Sequence, residues 1–306
     1  MKATFRQLRL FLALADTGSI TGAARLTHVS QPTASIQLRD LTHAVGAPLY
    51  EVIARKVYLT DMGKELARTV RTMVQVWDAF EQEVDGARGL TKGRLRVAVV
   101  STAQYFMPRL IGKFCRLHPA IDVSLEVLNR DGVVNRLRAN LDDLYIMSMP
   151  PRDMDLEDHV FMANPLVLVA SGSEPLLKGA PITLNQLAGR RFILREPGSG
   201  TRTAADLHFR KQRFHPDIRL ELGSNEAIKE AVAGGLGLSV LSRHTLHGRA
   251  AEHGVAVLDV KGFPLVSNWH IVHPAGKRLP PIAAAFRSSL LRDLQADRTV
   301  QRSARV

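Results

Sequence analysis

The sequence predicts an α/β protein with an all-α-type head: a small helical domain, a long linker helix and two Rossmann-like α/β subdomains. Three observations carry this. Residues 19–45 read as a short helix, a tight turn and a second helix with a polar outer face. Apolar residues then recur at alternating spacings of four and three from Leu66 to Ala87. From residue 95 onward, short apolar runs alternate with helical patterns, which implies parallel strands joined by crossover helices. At 306 residues and 45% apolar content, the chain can bury a core in each of two or three domains.

The head opens with a helix over 4–16, where Leu8, Phe11, Leu12 and Ala15 fall at i, i+3, i+4 and i+7. Lys2, Arg6 and Arg9 before that apolar run imitate a signal peptide, but the run is short and ends at Asp16, so a core helix is expected. Gly18 stops it and Ser19 caps the next helix. That second helix is expected to bury Ala23 and Leu26, with Val29 filling the turn. Ser30 caps the third helix and Pro32 sits in its first turn, where a missing N–H costs little. Ala34, Leu38, Leu41 and Val45 form the inner stripe, opposite Gln31, Pro32, Ser35, Ile36 and Arg39, and Gly46 ends the helix. Two β-like runs, 49–52 and 57–60, are joined by Ile53-Ala54-Arg55-Lys56, a basic loop like the wing of a winged helix-turn-helix.

A helix capped by Thr60 and running to about residue 88 follows. Leu66, Val70, Met73, Trp77, Phe80, Val84 and Ala87 give it an a/d heptad seam, which predicts pairing of two chains through a coiled coil. Gly86, Gly89 and Gly93 mark a hinge. The domain reading is therefore 1–60 for the head, 61–92 for the linker helix and hinge, 93–163 plus 268–306 for one α/β subdomain, and 164–267 for the other. Strands are expected at 95–100, 121–128, 144–149, 166–170, 192–194, 218–222, 238–241 and 255–260, and the chain returns to the first subdomain near Trp269.

Net charge is +12, and within residues 1–71 ten Lys and Arg stand against five Asp and Glu. That balance suits a polyanion such as nucleic acid, or phosphorylated metabolites. The single cysteine, Cys115, permits no intrachain disulfide and fits a reducing cytoplasm, with a core position expected for the thiol. No segment approaches the length of a membrane span, so no membrane partner is expected.

A reading helix needs short polar side chains near its N-terminal end, where they reach base edges while the helix start faces phosphate. Gln31 can make a bidentate contact to adenine, Ser35 can serve either partner, Ser30 and Thr33 can reach phosphate, and Arg39 suits phosphate or guanine. Arg55 and Lys56 would grip the DNA backbone from the wing. Farther on, Arg195-Glu196-Pro197-Gly198-Ser199-Gly200-Thr201-Arg202 follows a strand and opens a helix, an arrangement that cradles anions with backbone N–H groups and hydroxyls. It is neither a Walker A loop nor a dinucleotide fingerprint. Ser101, Thr102, Arg130 and Pro150 stand near the ends of other strands, where open α/β sheets hold ligands. A small anion between the two subdomains is expected on Ser101, Thr102, Arg130, Pro150, Arg195, Ser199, Thr201 and Arg202.

Asp142-Asp143, read as strand residues, would point to opposite faces and share no proton. His244/His247 and His270/His273 lack a partner cysteine, and no metal site or cofactor is expected. No serine elbow or paired acid and base is visible, so the chain reads as a binding protein and not an enzyme. A solute-binding module, or an enzyme on the same scaffold, is the rival class.

At these residues the chain resembles the LysR-type transcriptional regulators over essentially its whole length. The motif runs from Ala23-Ala24-x-Leu26 through Ser30-Gln31-Pro32 to Gly46, Leu59-Thr60 and Gly63. Residues 140–151, 195–202 and 224–229, with Lys277-Arg278-Leu279, resemble the CbbR subgroup, regulators of Calvin-cycle (RuBisCO) operons. The resemblance implies periplasmic-binding-protein-like effector subdomains and a homotetramer built as a dimer of dimers. It implies a pseudo-palindromic DNA site, with Gln31, Pro32 and Ser35 at base-reading positions. It further implies a ribulose bisphosphate, phosphoenolpyruvate or NADPH effector, a cytoplasmic, nucleoid-associated protein, and RNA polymerase as a further partner. The chain departs from the family pattern at Ile36 and Val52, where arginine is common, and at Thr42, where glutamate is usual.

Overall fold

The computed structural model describes residues 3–54, 56–86, 93–175, 181–246 and 254–303. Arg55, Ala87, Gly89 and His247 lie outside the described residues. The chain divides into a unit holding the head with most of the linker helix and a unit holding the α/β subdomains.

The first unit comprises α1 (Phe5–Thr17), α2 (Ile20–Leu26), α3 (Gln31–Val45), the strands β1 (Tyr50–Ile53) and β2 (Lys56–Leu59), and α4 (Asp61–Gly86). Local chemistry sets the boundaries. Thr4 and Gln7 form a capping box on α1, and Gly18 closes the helix in the left-handed conformation. The Ser19 hydroxyl accepts the Gly22 N–H and the Ser30 hydroxyl accepts the Thr33 N–H. Leu10, Phe11, Leu14, Ala23, Ala24, Ala34, Leu38, Leu41, Leu49 and Ala67 form one buried cluster, so the inner stripe of α3 is as expected. Leu26 is the exception, at 59% exposed. The core takes Ala23 and Ala24, and at about 100° per residue Leu26 lies roughly 110° around from the middle of that face. In the wing β1 and β2 pair antiparallel, and Ile53 and Lys56 form a ladder pair and do not belong to the loop.

α4 is anchored at its start. The Thr60 hydroxyl accepts the Gly63 N–H at 3.0 Å, and Gly63 packs so closely that a Cβ there would sit 1.8 Å from the Leu49 carbonyl oxygen. α1 lies along the helix, with Arg71 paired to Asp16, Arg9 to Asp78 at 3.4 Å, and Phe5 against Trp77 at 5.8 Å between ring centroids. This divides the heptad seam. Leu66 packs on the head core and Val70 is fully buried, whereas Met73, Trp77, Phe80 and Val84 remain about half-exposed. Val70 is therefore a residue of the folded chain's own interior and offers nothing to a second chain.

In the second unit, β3 (Gly93–Val100), β4 (Ile121–Leu128), β5 (Leu144–Met147), β6 (Leu156–Ala163) and β12 (Asn268–Pro274) form one sheet in the order β4-β3-β5-β12-β6. Helices α5 (Met107–Leu117), α6 (Arg130–Arg138) and α9 (Pro281–Ser303) belong to the same region, with a 3-10 turn at Ser101–Tyr105. β3 runs parallel to β4 and β5, but β12 is antiparallel to both β5 and β6, so the sheet is mixed and not wholly parallel. The remaining strands are β7 (Leu166–Ser171), β8 (Arg191–Arg195), β9 (Asp217–Leu222), β10 (Ser239–Ser242) and β11 (Val255–Val257), with helices α7 (Gly200–Lys211) and α8 (Asn225–Ala233). β8 and β9 are parallel; β10 and β11 flank β7 antiparallel to it.

β6 is absent from the sequence expectation. It is an edge strand paired only with β12, and its run Leu-Glu-Asp-His-Val-Phe-Met-Ala lacks a strong apolar alternation. Asp142 and Asp143 precede β5 in a bend and do not belong to a strand. They still do separate jobs: Asp142 accepts two 2.8 Å bonds from Arg136, and Asp143 accepts the Arg96 N–H at 2.8 Å. Cys115 is half-buried and not a core thiol, because Phe114 beside it takes the inward position on α5. Among the described residues, no helix is long and apolar enough to cross a membrane and no group of side chains has the makings of a metal site.

Candidate nucleic-acid interface and ligand pocket

On the head, the first turns of α3 present Ser30, Gln31, Pro32, Thr33 and Arg39 to solvent, with Ser35 half-buried. Their hydrogen bonds separate two kinds of residue. Ser30 is engaged in capping, and its hydroxyl meets that of Thr33 at 2.7 Å. The Gln31 side-chain amide makes only a long 3.4 Å bond to the Ser35 hydroxyl, so its amide remains available. Arg39 has no ion-pair partner among the described residues, and Lys56 is exposed on the wing. The same surface carries Ile36, and the wing carries Val52, Ile53 and Tyr58, all about half-exposed.

In the second unit the carboxyl ends of several strands meet. Val100, Ser101, Thr102, Asn129, Arg130, Ser148, Arg195, Ser199, Gly200 and Thr201 line a small cavity of about 10 Å³. Three helix starts open on it: the 3-10 turn at Ser101, α6 at Arg130 and α7 at Gly200. Each presents backbone N–H groups with a partial positive charge. Asn129 caps α6 by accepting the Gly132 N–H at 2.9 Å. Gly198 (φ +87°) and Gly200 let the loop before α7 approach closely, for Cβ atoms there would come within 2.7 Å of the Asp131 carboxylate and 2.9 Å of the Ser148 hydroxyl.

Thr102, Ser148, Ser199 and Thr201 are all buried, and none of their hydroxyls makes a hydrogen bond with another described residue. All four face one cavity beside three helix starts, donors of the kind that an anion's oxygens accept.

Arg195 plays another part. It is 2% exposed and its donors are occupied: by Glu196 at 2.8 and 3.0 Å, by Asn225 at 2.7 Å and by the Ser101 hydroxyl at 3.1 Å. Its charge is balanced by Glu196, and its bond to Ser101 ties the two α/β subdomains together. Arg130 donates to the Met149 carbonyl at 2.9 Å and leans on Asp131 at 3.4 Å.

Two expected residues lie elsewhere. Arg202 does not line the cavity; it binds Asp206 at 2.9 Å, the Arg195 carbonyl at 2.8 Å and Glu221, because one residue past Thr201 the helix has turned away. Pro150 lines a separate, larger cavity that also touches Arg130, Asp153, Leu156 and His270.

A second tie between the subdomains escaped sequence reasoning. The Tyr105 hydroxyl donates to Glu226 at 2.7 Å, and Glu226 accepts from the buried Lys229 ammonium at 2.7 Å. Lys229 also donates to the Thr245 carbonyl at 3.0 Å and lies 5.6 Å from the Tyr105 ring centre. Burial, reinforced by Glu226, pushes the Tyr105 hydroxyl well above the usual tyrosine range, so it stays a donor. No local motif joins residues 105, 226 and 229; only the fold does.

A basic helix-turn-helix head followed by a two-part α/β module with a polar pocket is the architecture of a ligand-responsive DNA-binding protein. Residues 5–64 match the bacterial regulatory helix-turn-helix proteins of the lysR family, and residues 88–295 match the LysR substrate binding domain. The chain is 44% identical over 288 residues to a RuBisCO operon transcriptional regulator of Acidithiobacillus ferrooxidans, covering 94% of this chain and 93% of that one. It is 43% identical over 284 residues to the HTH-type transcriptional activator CmpR of Synechocystis, covering 93% of each. The regulatory domain of Synechocystis CcmR, solved in complex with 2-PG, superposes with a TM-score of 0.65 at 45% identity, over 66% of this chain and 98% of that one. The chain belongs to the LysR family of transcriptional regulators and is a sequence-specific DNA-binding protein of that type.

Proposed function

We propose that this regulator controls carbon-fixation genes and that a small phosphorylated acid, bound between the two α/β subdomains, switches it. The observation that carries the reading is the set of four hydroxyls, on Thr102, Ser148, Ser199 and Thr201, that face one cavity beside three helix starts without a partner among the described residues. Phosphate oxygens accept from such donors, and their charge favours helix N-termini. The relatives' roles in RuBisCO operons and the 2-PG bound to CcmR support the choice of pathway and ligand class. The cavity holds about 10 Å³, the space of roughly one water, so an anion enters only as the lining side chains part, which favours a small acid such as phosphoglycolate or phosphoenolpyruvate over the several times bulkier NADPH.

In this reading Ser101, Thr102, Ser148, Ser199 and Thr201 hold the anion, Arg130 supplies charge, and Arg195 positions Ser101. Binding acts only through unequal affinity for two arrangements of the subdomains. The ties Arg195–Ser101 and Tyr105–Glu226 are the contacts whose strength sets that balance. Gln31 and Ser35 read bases, while Ser30, Thr33, Arg39 and the wing at Arg55 and Lys56 hold phosphate. Met73, Trp77, Phe80 and Val84 pair two chains, and two such pairs build the tetramer. The protein works in the cytoplasm on the nucleoid, contacts RNA polymerase there, and turns over no substrate.

Calorimetry on the full chain tests the ligand class. Phosphoglycolate or phosphoenolpyruvate should bind, while glycolate and pyruvate should bind at least tenfold more weakly. Equal binding of the unphosphorylated acids would refute the phosphate site.

A further inference from the structure

The polar face of α3 contains one residue that its chemistry does not explain. Ile36 is 50% exposed, whereas the other long apolar residues of the helix, Leu38 and Leu41, are fully buried. It stands one turn after the exposed Pro32 and next to Ser35, with Gln31 on the neighbouring row and Arg39 three residues on. An isoleucine left half in water forgoes part of its burial energy in the free protein and recovers it only against an apolar partner.

The major groove offers one apolar feature, the C5-methyl group of thymine. A β-branched side chain on a helix holds essentially one χ1 rotamer, so it meets such a group with little further loss of freedom. Arginine at this position would seek guanine or phosphate; isoleucine can donate to neither.

We infer that Ile36 is a specificity-determining residue that selects thymine, through its C5-methyl group, at one position in each half-site. The inference rests on the reading of α3 as the groove-inserted helix. Gln31 supplies hydrogen-bond readout and Ile36 supplies methyl readout a few ångströms along the same face. The pair would favour an adenine and a thymine contact side by side.

The test replaces thymine with deoxyuridine, which removes the methyl group and leaves every hydrogen-bonding atom. The full-length chain first selects its preferred duplex from a random library. Each thymine of that duplex is then changed singly to deoxyuridine and the dissociation constant measured. Wild type should lose about fourfold at one position per half-site, the factor that burial of one methyl group gives. Ile36→Ser, which exposes no core and should melt with wild type, should bind the thymine and uracil duplexes equally. Placing 5-methylcytosine paired with guanine there should restore part of the methyl contact for wild type alone.

A chain that selects a site yet tolerates deoxyuridine everywhere overturns the inference and leaves the α3 reading standing. So does an Ile36→Ser variant that keeps the fourfold penalty. A chain that selects no site, with Gln31→Ala indistinguishable from wild type, overturns the reading of α3 itself.

Discussion

On the head, Gln31, Pro32 and Arg39 stand in water on a single helix; around the pocket, Thr102, Ser148, Ser199 and Thr201 come from separate elements spread between residue 102 and residue 201 and are buried. The two regions present polar groups under opposite conditions. Exposed donors stay hydrated until a partner replaces the water, so their contribution depends on salt and on the fit to base edges. The pocket hydroxyls belong to buried residues and have no partner among the described residues, while their oxygens open on the cavity, where a ligand's acceptor oxygens could take bonds that the protein leaves unmade. The head suits graded affinity across many DNA sequences, and the proposed pocket would discriminate among anions.

That contrast can be broken at several points. The largest effect is expected from Gly63→Ala. Its Cβ would meet the Leu49 carbonyl at 1.8 Å, so the head should lose at least about 3 kcal/mol of stability. Thermal denaturation should show an early transition while the second unit still binds ligand. Loss of both functions together would mean that the two units do not fold separately.

Phe80→Glu comes next. Placed on the exposed half of the linker seam, it should shift chain pairing at least tenfold toward monomer by sedimentation, whereas Val70→Glu should unfold the head instead. A dimer untouched by Phe80→Glu would move the interface elsewhere. In the pocket, Thr201→Val and Ser148→Ala should each weaken ligand binding by about 1.5–3 kcal/mol, the range for a hydrogen bond to a charged group. DNA affinity without ligand should be unchanged. On the head, Gln31→Ala should cost about 1–3 kcal/mol on the preferred site and little on random duplex. Equal losses on both would remove its base-reading role.

The smallest effect is one of pH. His273 is buried and accepts the Arg287 N–H at Nε2 over 2.8 Å, which places its own proton at Nδ1, near the Pro274 carbonyl. Burial, with the nearby charges of Arg287 and Lys277, outweighs the bond to the Pro274 carbonyl and the pull of Glu157 and holds its pKa below the ordinary 6.5. Below that pH the unfolded chain takes up a proton that the folded chain refuses. Stability of the second unit should therefore be full above 6.5 and fall as the medium is acidified through the folded-state value. His208, lowered in the same direction by burial, adds to this slope. His273→Gln should flatten it; an unchanged slope would assign the effect to His208.

The parts of the fold legible in the sequence were those set by near neighbours. The caps at Ser19, Ser30 and Thr60, and the stops at Gly18 and Gly46, need only residues within a turn or two. The stripe of α3 follows from its own periodicity. What the sequence misplaced depends on partners far along the chain. Nothing near Val70 announces that α1 covers that part of α4, and the period of the seam is the same on either side of the division. Arg202 looked like a ligand residue because it flanks a glycine-bearing loop, but Asp206 and Glu221 already hold it. The Tyr105–Glu226 tie gave no local signal, for it forms only when two subdomains come together. The edge strand β6 was missed because a strand with one neighbour needs no apolar alternation.

The account stands or falls on whether a phosphorylated acid in the pocket changes what the head does on DNA. The direct measurement is the dissociation constant of the full chain for a carbon-fixation promoter fragment, with and without saturating phosphoglycolate, for wild type and Thr201→Val. The account predicts a constant that shifts at least fivefold for wild type, or a footprint that changes length, and no shift for the variant. A wild-type constant and footprint that are identical with and without the acid, under conditions where calorimetry shows it bound, would contradict it.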